Sequence, residues 1–330
     1  GFAAGSTWLL ARLLPRAATA NPVRRVAQNS AFPIAAALFN KALDLAFAIV
    51  ALRVLGPGDA GKYAFVGVIA IYLDILLGFG MNTWLTREAA RHPARWRPEL
   101  WRVLRARALL WLLLAALAGA GGGALATLGT ISAAEVLALA LLVLALAPNG
   151  AAAALSAVFQ AFERMEYPAA VTVQTTLLKV ALGLLALALG FGFVGMAAVA
   201  IVVNVLTLLT LLALFQSVAR PATASRSTGS IGGLLDLLRE TSPFMVNNLL
   251  ASLFFRVDLF LLRPIAGDTA AGWYSAAYRV VDGLTLIPAY FTLALFPDLA
   301  RRATTDRAAL ARVYGRALKA LLTLALPVSV

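Results

Sequence analysis

The feature that most constrains the fold is the length of the apolar runs. The stretch ALLWLLLAALAGAGGGALATLGT at 108–130 contains no charged side chain. The hydrocarbon core of a bilayer is about 30 Å thick, and a helix needs about 20 residues to cross it. Lipid offers the backbone no hydrogen-bond partner, so only helices and closed barrels cross it. A run this long, without the alternation of a barrel strand, predicts a membrane-spanning helix.

Similar runs recur along the whole chain. Of its 330 residues, 62% are apolar and 13% are charged, whereas soluble domains are about half apolar and a quarter charged. We predict an all-α, polytopic membrane helical bundle. The chain starts with Gly1 and ends at Val330 inside an apolar run, so we expect a piece of a longer protein. The predicted spans are 31–52, 63–83, 108–130, 135–159, 169–190, 194–216, 243–262, 272–296 and the start of a ninth from 318.

The basic residues fall mainly on one side of these spans. Short loops rich in Lys and Arg stay in the cytoplasm. Most of the 28 Lys and Arg residues precede the first span or lie in every second loop, whereas the other loops carry Arg53, Lys62 and Arg263. We therefore expect a cytoplasmic N-terminus. The net charge of +13 then indicates contact with anionic lipid headgroups rather than with nucleic acid.

The sequence offers little for catalysis. It has no cysteine, and its one histidine, His92, lies in the basic loop REAARHPARW, where a solvated or headgroup-facing role is expected. The loops on the opposite side are too short to present an acid–base site. No G-x-x-x-x-G-K-[ST] motif supports ATP hydrolysis. We predict that the protein is not an enzyme and needs no metal and no cofactor.

One phrase occurs twice. RVLGPGDAGKYAF at 53–65 and RPIAGDTAAGWYSAA at 263–277 both run from an Arg through a small turn to a Gly-x-Tyr pair, at Gly61 and Gly272. Six predicted spans separate the copies, and an even number gives both the same orientation. We predict two pseudo-symmetric lobes of six helices around a central cavity, with the second lobe truncated in this chain. The predicted segments are a cytoplasmic amphipathic region at 1–28, the first lobe at 29–217, a cytoplasmic linker at 218–240 and the start of the second lobe at 241–330.

Two blocks of the chain resemble the Wzx-type polysaccharide flippases. The block RVLGPGDAGKYAFVGVIAIYLDILLGFGMNTWLTREAAR at 53–91 resembles their opening pair of helices, and the block at 242–301 resembles their seventh and eighth helices. The resemblance runs from about Gln28 to the end of the chain and is weak between the blocks. The matching residues are Gly80, Thr86, Arg87, Glu88 and Ala90 in the first block, and Asp258, Gly272, Tyr274, Ala277, Tyr278, Pro288 and Pro297 in the second.

The resemblance implies membership of the superfamily that also contains peptidoglycan-precursor flippases and multidrug extruders. Such flippases move undecaprenyl-diphosphate-linked sugars between leaflets of the bacterial cytoplasmic (inner) membrane by alternating access. The implied partners are the lipid-linked oligosaccharide, membrane lipids and polysaccharide assembly proteins. The family pattern has twelve or more helices, so this chain would carry one lobe and part of the other.

Ionisable residues inside the predicted spans are the candidate site. A charge at mid-bilayer costs about 2.5–3.5 kcal/mol on insertion scales, so such residues normally face partners or water. Lys41 with Asp44, and Arg279 with Asp282, stand three apart and share a helix face. Arg256 and Asp258 stand two apart and point in different directions, so each needs a partner on another helix. Two further candidates are Asp74 and Lys179, the latter without an acid in its own helix.

Two interpretations of these charges remain open. In one, Lys41 with Asp44 and Arg279 with Asp282 only neutralise each other. In the other, Lys41, Lys179 and Arg256 line the cavity and bind the substrate diphosphate, while the remaining charged residues serve in coupling or charge pairing. The alternative function is an ion-coupled multidrug exporter of the same fold, whose cavity should be neutral or acidic. A non-transporting scaffold is a further alternative.

Overall fold

The computed structural model describes residues 22–218, 233–284 and three short helical pieces between 313 and 323. Within these residues the regular structure is helical, without strands. We number the seven long helices in chain order: α1 Pro22–Gly78, α2 Met81–Arg91, α3 Trp96–Thr127, α4 Ala133–Ala161, α5 Glu166–Ala188, α6 Gly192–Val218 and α7 Leu234–Leu284. Most of the 1–28 segment, residues 219–232 of the predicted 218–240 linker, and the end of the predicted eighth span lie outside the described residues.

The two longest helices each bend at a single glycine. Gly56 in α1 has φ 73° and ψ 166°, and Gly267 in α7 has φ 82° and ψ 177°. This region of backbone conformation is essentially restricted to glycine. Pro57 and Asp268 follow directly, and both suit the first turn of a helix, because Pro needs no hydrogen-bond partner there and Asp favours the positive end of the dipole. Each bend therefore joins two helices.

The bends correct one expectation from the sequence. Residues 53–62 and 263–271 were expected to form loops between spans, yet helix continues through both stretches except at the bend glycine. The physical reason is that one glycine in the restricted region turns the chain through the required angle. The remaining loop residues can then stay helical and keep their backbone hydrogen bonds, which membrane surroundings favour.

Five helices of the described part are long and apolar enough to cross a membrane. The first of these stretches, Ala36–Arg91, has 56 residues, or about 84 Å of helix at 1.5 Å per residue, enough for two crossings. The others coincide with α3, α4, α5 and α6. The boundaries of α4 to α6 confirm the predicted spans to within three residues at each end. Helix α3 begins at Trp96 rather than 108, because the Arg-rich stretch before the apolar run is helical too.

Helix α4 is the centre of the packing and contacts α1, α2, α3, α5 and α6. Its buried positions include the small residues Ala138, Ala145, Ala152, Ala154 and Ala157. Small side chains let helix backbones approach closely, which is how helices associate where no hydrophobic effect drives them. In contrast, Leu109, Leu112, Leu113 and Leu117 of α3 are more than half exposed, as expected of a lipid-facing surface.

The chain divides into two compact units, Gly1–Ala276 and Ala277–Val330. All the helix contacts described below lie in the first unit. We call the side of the bundle where α1 bends at Gly56 and α7 bends at Gly267 the turn end. The end at α2, where Arg87 and Arg91 are exposed, is the basic end.

Candidate functional site

An ion pair joins two of the predicted site residues across helices. The ammonium group of Lys179 in α5 contacts a carboxylate oxygen of Asp44 in α1. Lys179 lies near the middle of α5, where a charge is most expensive in a bilayer. The two side chains remain 43% and 37% exposed, so they lie at a surface of the first unit and not in its packed core. The sequence indicated both residues but not that they meet.

Lys41 and Arg256, the other two predicted binding cations, are both half-buried. Lys41 lies one helical turn before Asp44 on α1, so both residues project from the same side of that helix. Arg256 lies in the first half of α7. Its guanidinium and the carboxylate of Asp258 both interact electrostatically with the phenol of Tyr72 in α1.

Asp258 is held by a tyrosine of the repeated phrase. The hydroxyl of Tyr274 donates a hydrogen bond to its carboxylate, and the backbone N–H of Leu259 donates another at 2.7 Å. Tyr274 lies beyond the bend at Gly267. Both of these partners belong to α7, the helix that carries Asp258 itself.

Asp74 takes part in a polar cluster at the centre of the bundle. Its carboxylate accepts a hydrogen bond of 3.1 Å from the side-chain amide of Asn149 in α4. Nearby, the buried Arg107 of α3 donates to the backbone carbonyl of Gly150 and, at 2.7 Å, to Asn82 Oδ1. Pro148 lies inside α4, and side chains from neighbouring helices satisfy backbone groups where such a residue disturbs a membrane helix.

Arg107 was not among the predicted site residues, because it directly precedes the predicted span 108–130 and was counted with the basic residues of the loop before it. Its position directly before the apolar run of α3 was the available signal.

Of the remaining predicted residues, Arg279 is exposed and Asp282 is half-buried, three residues apart on the last turns of α7. Both belong to the second compact unit.

The two copies of the repeated phrase have matching backbone geometry and contact each other. A Cβ atom built on Gly61 would collide with the Asp268 carbonyl, and one built on Gly272 would collide with the Pro57 carbonyl. Pro57 precedes Gly61 by four residues, as Asp268 precedes Gly272. Each copy thus gives one glycine and one carbonyl to a reciprocal contact, which is the pattern a two-fold axis produces. The internal repeat read from the sequence is therefore visible at this contact.

Arg263 lies beside this contact. Its guanidinium is 2.5 Å from Glu135 Oε1 and 2.6 Å from Asp268 Oδ1. It also lies over the Phe65 ring, 4.3 Å from the centroid. The sequence marked Arg263 only as one of the few cations on its side of the membrane.

A different set of contacts joins α7 to the basic end. Gly80 lies against the backbone of Thr241 and Met245, with no room for a Cβ atom. The Trp84 indole N–H donates to Glu240 Oε2 at 2.7 Å, and Thr86 Oγ1 donates to the Ala157 carbonyl at 3.2 Å. The segment from Gly80 to Thr86, which contains two of the residues that match the flippases, therefore connects α2 with α4 and α7.

Residues 26–302 match the family described as polysaccharide biosynthesis protein. This chain belongs to that family. The match confirms the family-level resemblance to polysaccharide flippases that was inferred from residues 53–91 and 242–301. None of the curated proteins compared with this polysaccharide biosynthesis protein matches it.

Solved structures with a similar fold are transporters. One is an inward-facing multidrug resistance MATE family transporter of the MOP superfamily, with 18% identity, a TM-score of 0.62, and coverage of 88% of this chain and 68% of that one. A second is the MATE multidrug transporter DinF-BH, with 17% identity, a TM-score of 0.60, and coverage of 87% and 66%. A third is the eukaryotic MATE transporter AtDTX14, with 17% identity, a TM-score of 0.51, and coverage of 88% and 68%. This polysaccharide biosynthesis protein therefore has a multi-pass membrane transporter fold.

Proposed function

We propose that the protein moves an undecaprenyl-diphosphate-linked oligosaccharide from the inner to the outer leaflet of the bacterial cytoplasmic membrane by alternating access. The N-terminus and the basic end then face the cytoplasm. The observation that carries the proposal is the half-exposed Lys179–Asp44 pair in a member of a polysaccharide biosynthesis family. The protein acts as a transporter and not as an enzyme.

The pair suits a site that must be stable both empty and occupied. An unpaired ammonium group at the middle of a membrane helix is costly, and Asp44 offsets that cost while the site is empty. A diphosphate brings more negative charge and more acceptor oxygens than one carboxylate. It can therefore compete with Asp44 for the Lys179 ammonium through charge-assisted hydrogen bonds.

The neighbouring charges fit roles around this exchange. Lys41, one turn before Asp44, and Arg256 on α7 supply two further cations for an anionic headgroup. Asp74 and Asp258 already accept hydrogen bonds from Asn149 and Tyr274. We assign these two acids to charge pairing, together with Arg279 and Asp282.

The test is transport by the full-length protein in proteoliposomes containing a fluorescent undecaprenyl-diphosphate oligosaccharide. An impermeant quencher reports the fraction of lipid in the outer leaflet. Lys179→Met removes the ammonium group, and loss of a charge-assisted hydrogen bond worth about 1.5–3 kcal/mol lowers the rate about 10- to 150-fold. Lys179→Arg keeps a cation and retains a measurable part of the rate.

Two variants serve as controls on charge. Lys62→Met removes a Lys that pairs with Asp59 at 2.9 Å at the turn end, and it leaves the rate within about twofold of wild type, as for a surface ion pair. Asp44→Asn removes the competing acid, so the bound lipid is retained more tightly and release slows. A Lys179→Met protein that transports at the wild-type rate would overturn the assignment of this residue.

The fold favours a second candidate function. The solved structures above are described as multidrug transporters, so an ion-coupled exporter of cationic drugs is the alternative. Such an exporter needs exposed acids without cations beside them, whereas Asp44 is paired with a lysine. Gradient-driven efflux of a cationic dye, with no transfer of any lipid-linked sugar, would replace the flippase by this alternative.

A further inference from the structure

The turn end holds an ion-pair cluster that the proposed site does not use. Arg263 connects three segments: Glu135 at the start of α4, Asp268 just after the α7 bend, and the Phe65 ring of α1. Glu135 and Phe65 belong to the predicted first lobe, and Arg263 and Asp268 belong to the start of the predicted second lobe. We call these two lobes the first and the second copy. One side chain therefore ties the two copies together.

Two of the three charged side chains of the cluster are buried, and the third, Asp268, is 32% exposed. The Arg263 and Glu135 side chains are 10% and 2% exposed. A buried charge left without its partner is strongly destabilising, so these two groups hold each other in place. Separation of the copies would have to hydrate both.

Glu135 has a structural task that leaves one oxygen for Arg263. Its Oε2 accepts hydrogen bonds from the Ser132 backbone N–H and hydroxyl, both at 2.8 Å, in a capping box at the start of α4. Its Oε1 is the atom that contacts Arg263. The cap fixes the carboxylate on the first copy and aims its second oxygen at the second copy.

The cluster is one of three layers of contact at this end. Beside it, the Phe65 and Phe260 rings stack with centroids 5.7 Å apart at an interplanar angle of 16°. Further toward the bends lies the reciprocal contact of Gly61 and Gly272 with the opposing carbonyls. In the described part, α7 packs less against the other helices than they pack against one another. These three layers of contact, which we call the joint, are therefore confined to the turn end. The joint can open without unfolding either copy.

We propose that Arg263 is a gating residue: bridging Glu135 and Asp268, it closes the turn end of the transporter, and its release accompanies opening toward that side. The proposal rests on the proposed transport function, because a protein that does not alternate its access has no use for a gate. Arg263 acts by positioning helices and does not contact the substrate. Opening of the joint can be measured directly, by cysteine labelling and without any substrate.

The probe is a cysteine at a position that is buried while the joint is closed. Ala271 is fully buried and packs with Val68 and Leu259, and the 330 residues contain no native cysteine. In the full-length protein, with any cysteine elsewhere replaced by serine, Ala271→Cys becomes accessible to an impermeant maleimide only when the joint opens. The rate of labelling in proteoliposomes therefore measures the open fraction.

Arg263→Gln and Glu135→Gln each remove the charge pair, and each should accelerate labelling at position 271 by tenfold or more. Lys62→Gln removes a nearby cation that pairs within its own turn, and it should leave the rate unchanged. The folding control is Ala197→Cys, a fully buried site in the core of the first copy at the same end. Its labelling should stay slow in every background.

Three outcomes would overturn the gate. Equal labelling at position 271 with and without Arg263 means that the cluster does not close the joint. Equal acceleration at positions 271 and 197 means that the cluster supports the fold as a whole. If Lys62→Gln accelerates labelling as much as Arg263→Gln does, then loss of any positive charge at the turn end has this effect, and the Arg263 bridge is not what closes the joint. If lipid-linked sugar is not transported while labelling responds as expected, the substrate proposal fails and the gate stands.

Discussion

A methyl group added to either glycine of the reciprocal contact should open the turn end. In Gly61→Ala the new Cβ would meet the Asp268 carbonyl, and in Gly272→Ala it would meet the Pro57 carbonyl. These obstacles are backbone atoms and cannot rotate away as a side chain can. Neither glycine has a positive φ, so alanine is otherwise acceptable at both positions and adds helix propensity in every conformation.

The magnitude follows from the cost of overpacking. Forcing an extra carbon into a tight contact costs about 1–3 kcal/mol, and here only the conformation with a closed turn end bears that cost. At about 1.4 kcal/mol per tenfold change in an equilibrium constant, the ratio of closed to open protein falls about 5- to 150-fold. The free-energy change between closed and open protein should be smaller in the double variant than the sum of the changes in the two single variants. The reason is that the first methyl group already separates the carbonyls of both copies.

Distances between spin labels would measure this shift. Val54 and Ile265 occupy corresponding positions in the two copies and are 57% and 84% exposed, so cysteines there accept nitroxides without disturbing the core. Gly61→Ala should increase the population with the longer distance. Gly58→Ala is the matched control, because a Cβ at Gly58 has nothing within 4 Å. An identical distance distribution in Gly61→Ala and Gly58→Ala would refute the reasoning.

Three further substitutions should lower the stability of the fold. Gly56→Ala and Gly267→Ala force a side chain into backbone conformations reserved for glycine and should each cost about 1–3 kcal/mol, measured as a lower thermal unfolding temperature in detergent. Arg107→Met should cost a similar amount, since a buried guanidinium that donates to two acceptors loses charge-assisted bonds worth about 1.5–3 kcal/mol. Arg105→Met, at an exposed position of the same helix, should change stability by less than about 0.5 kcal/mol, and an equal loss there would contradict the role given to Arg107.

The sequence predicted the apolar helices well because their signal is local. A run of about twenty apolar residues can do little else than cross a bilayer, and α4 to α6 accordingly begin and end close to the predicted residues. The bends were mispredicted because a Gly-Pro-Gly-Asp string indicates a loop by composition. Only the backbone geometry shows that Gly56 alone makes the turn and that Pro57 already begins the next helix.

The candidate site was predictable as a set of residues but not as a set of contacts. Lys179 was recognisable as a cation without an acid in its predicted span, 169–190, yet its partner Asp44 lies 135 residues earlier in the chain. Arg263 and Glu135 each stood at a predicted span end, where a charge usually faces water. Nothing local in the sequence indicates that the two meet and are buried.

Helix α7 contacts the first copy at two places by different means, and this difference bears on how a transport cycle could run. At the turn end the contact is reciprocal between corresponding residues, Gly61 and Gly272. At the basic end Gly80 meets the first turns of α7, and Trp84 donates to Glu240. In the reciprocal contact each copy contributes one glycine and one carbonyl, so the contact breaks when the two copies move apart. In the proposed transport cycle, alternating access requires that the two contacts open at different times, and because they are built from different residues, each can open without the other.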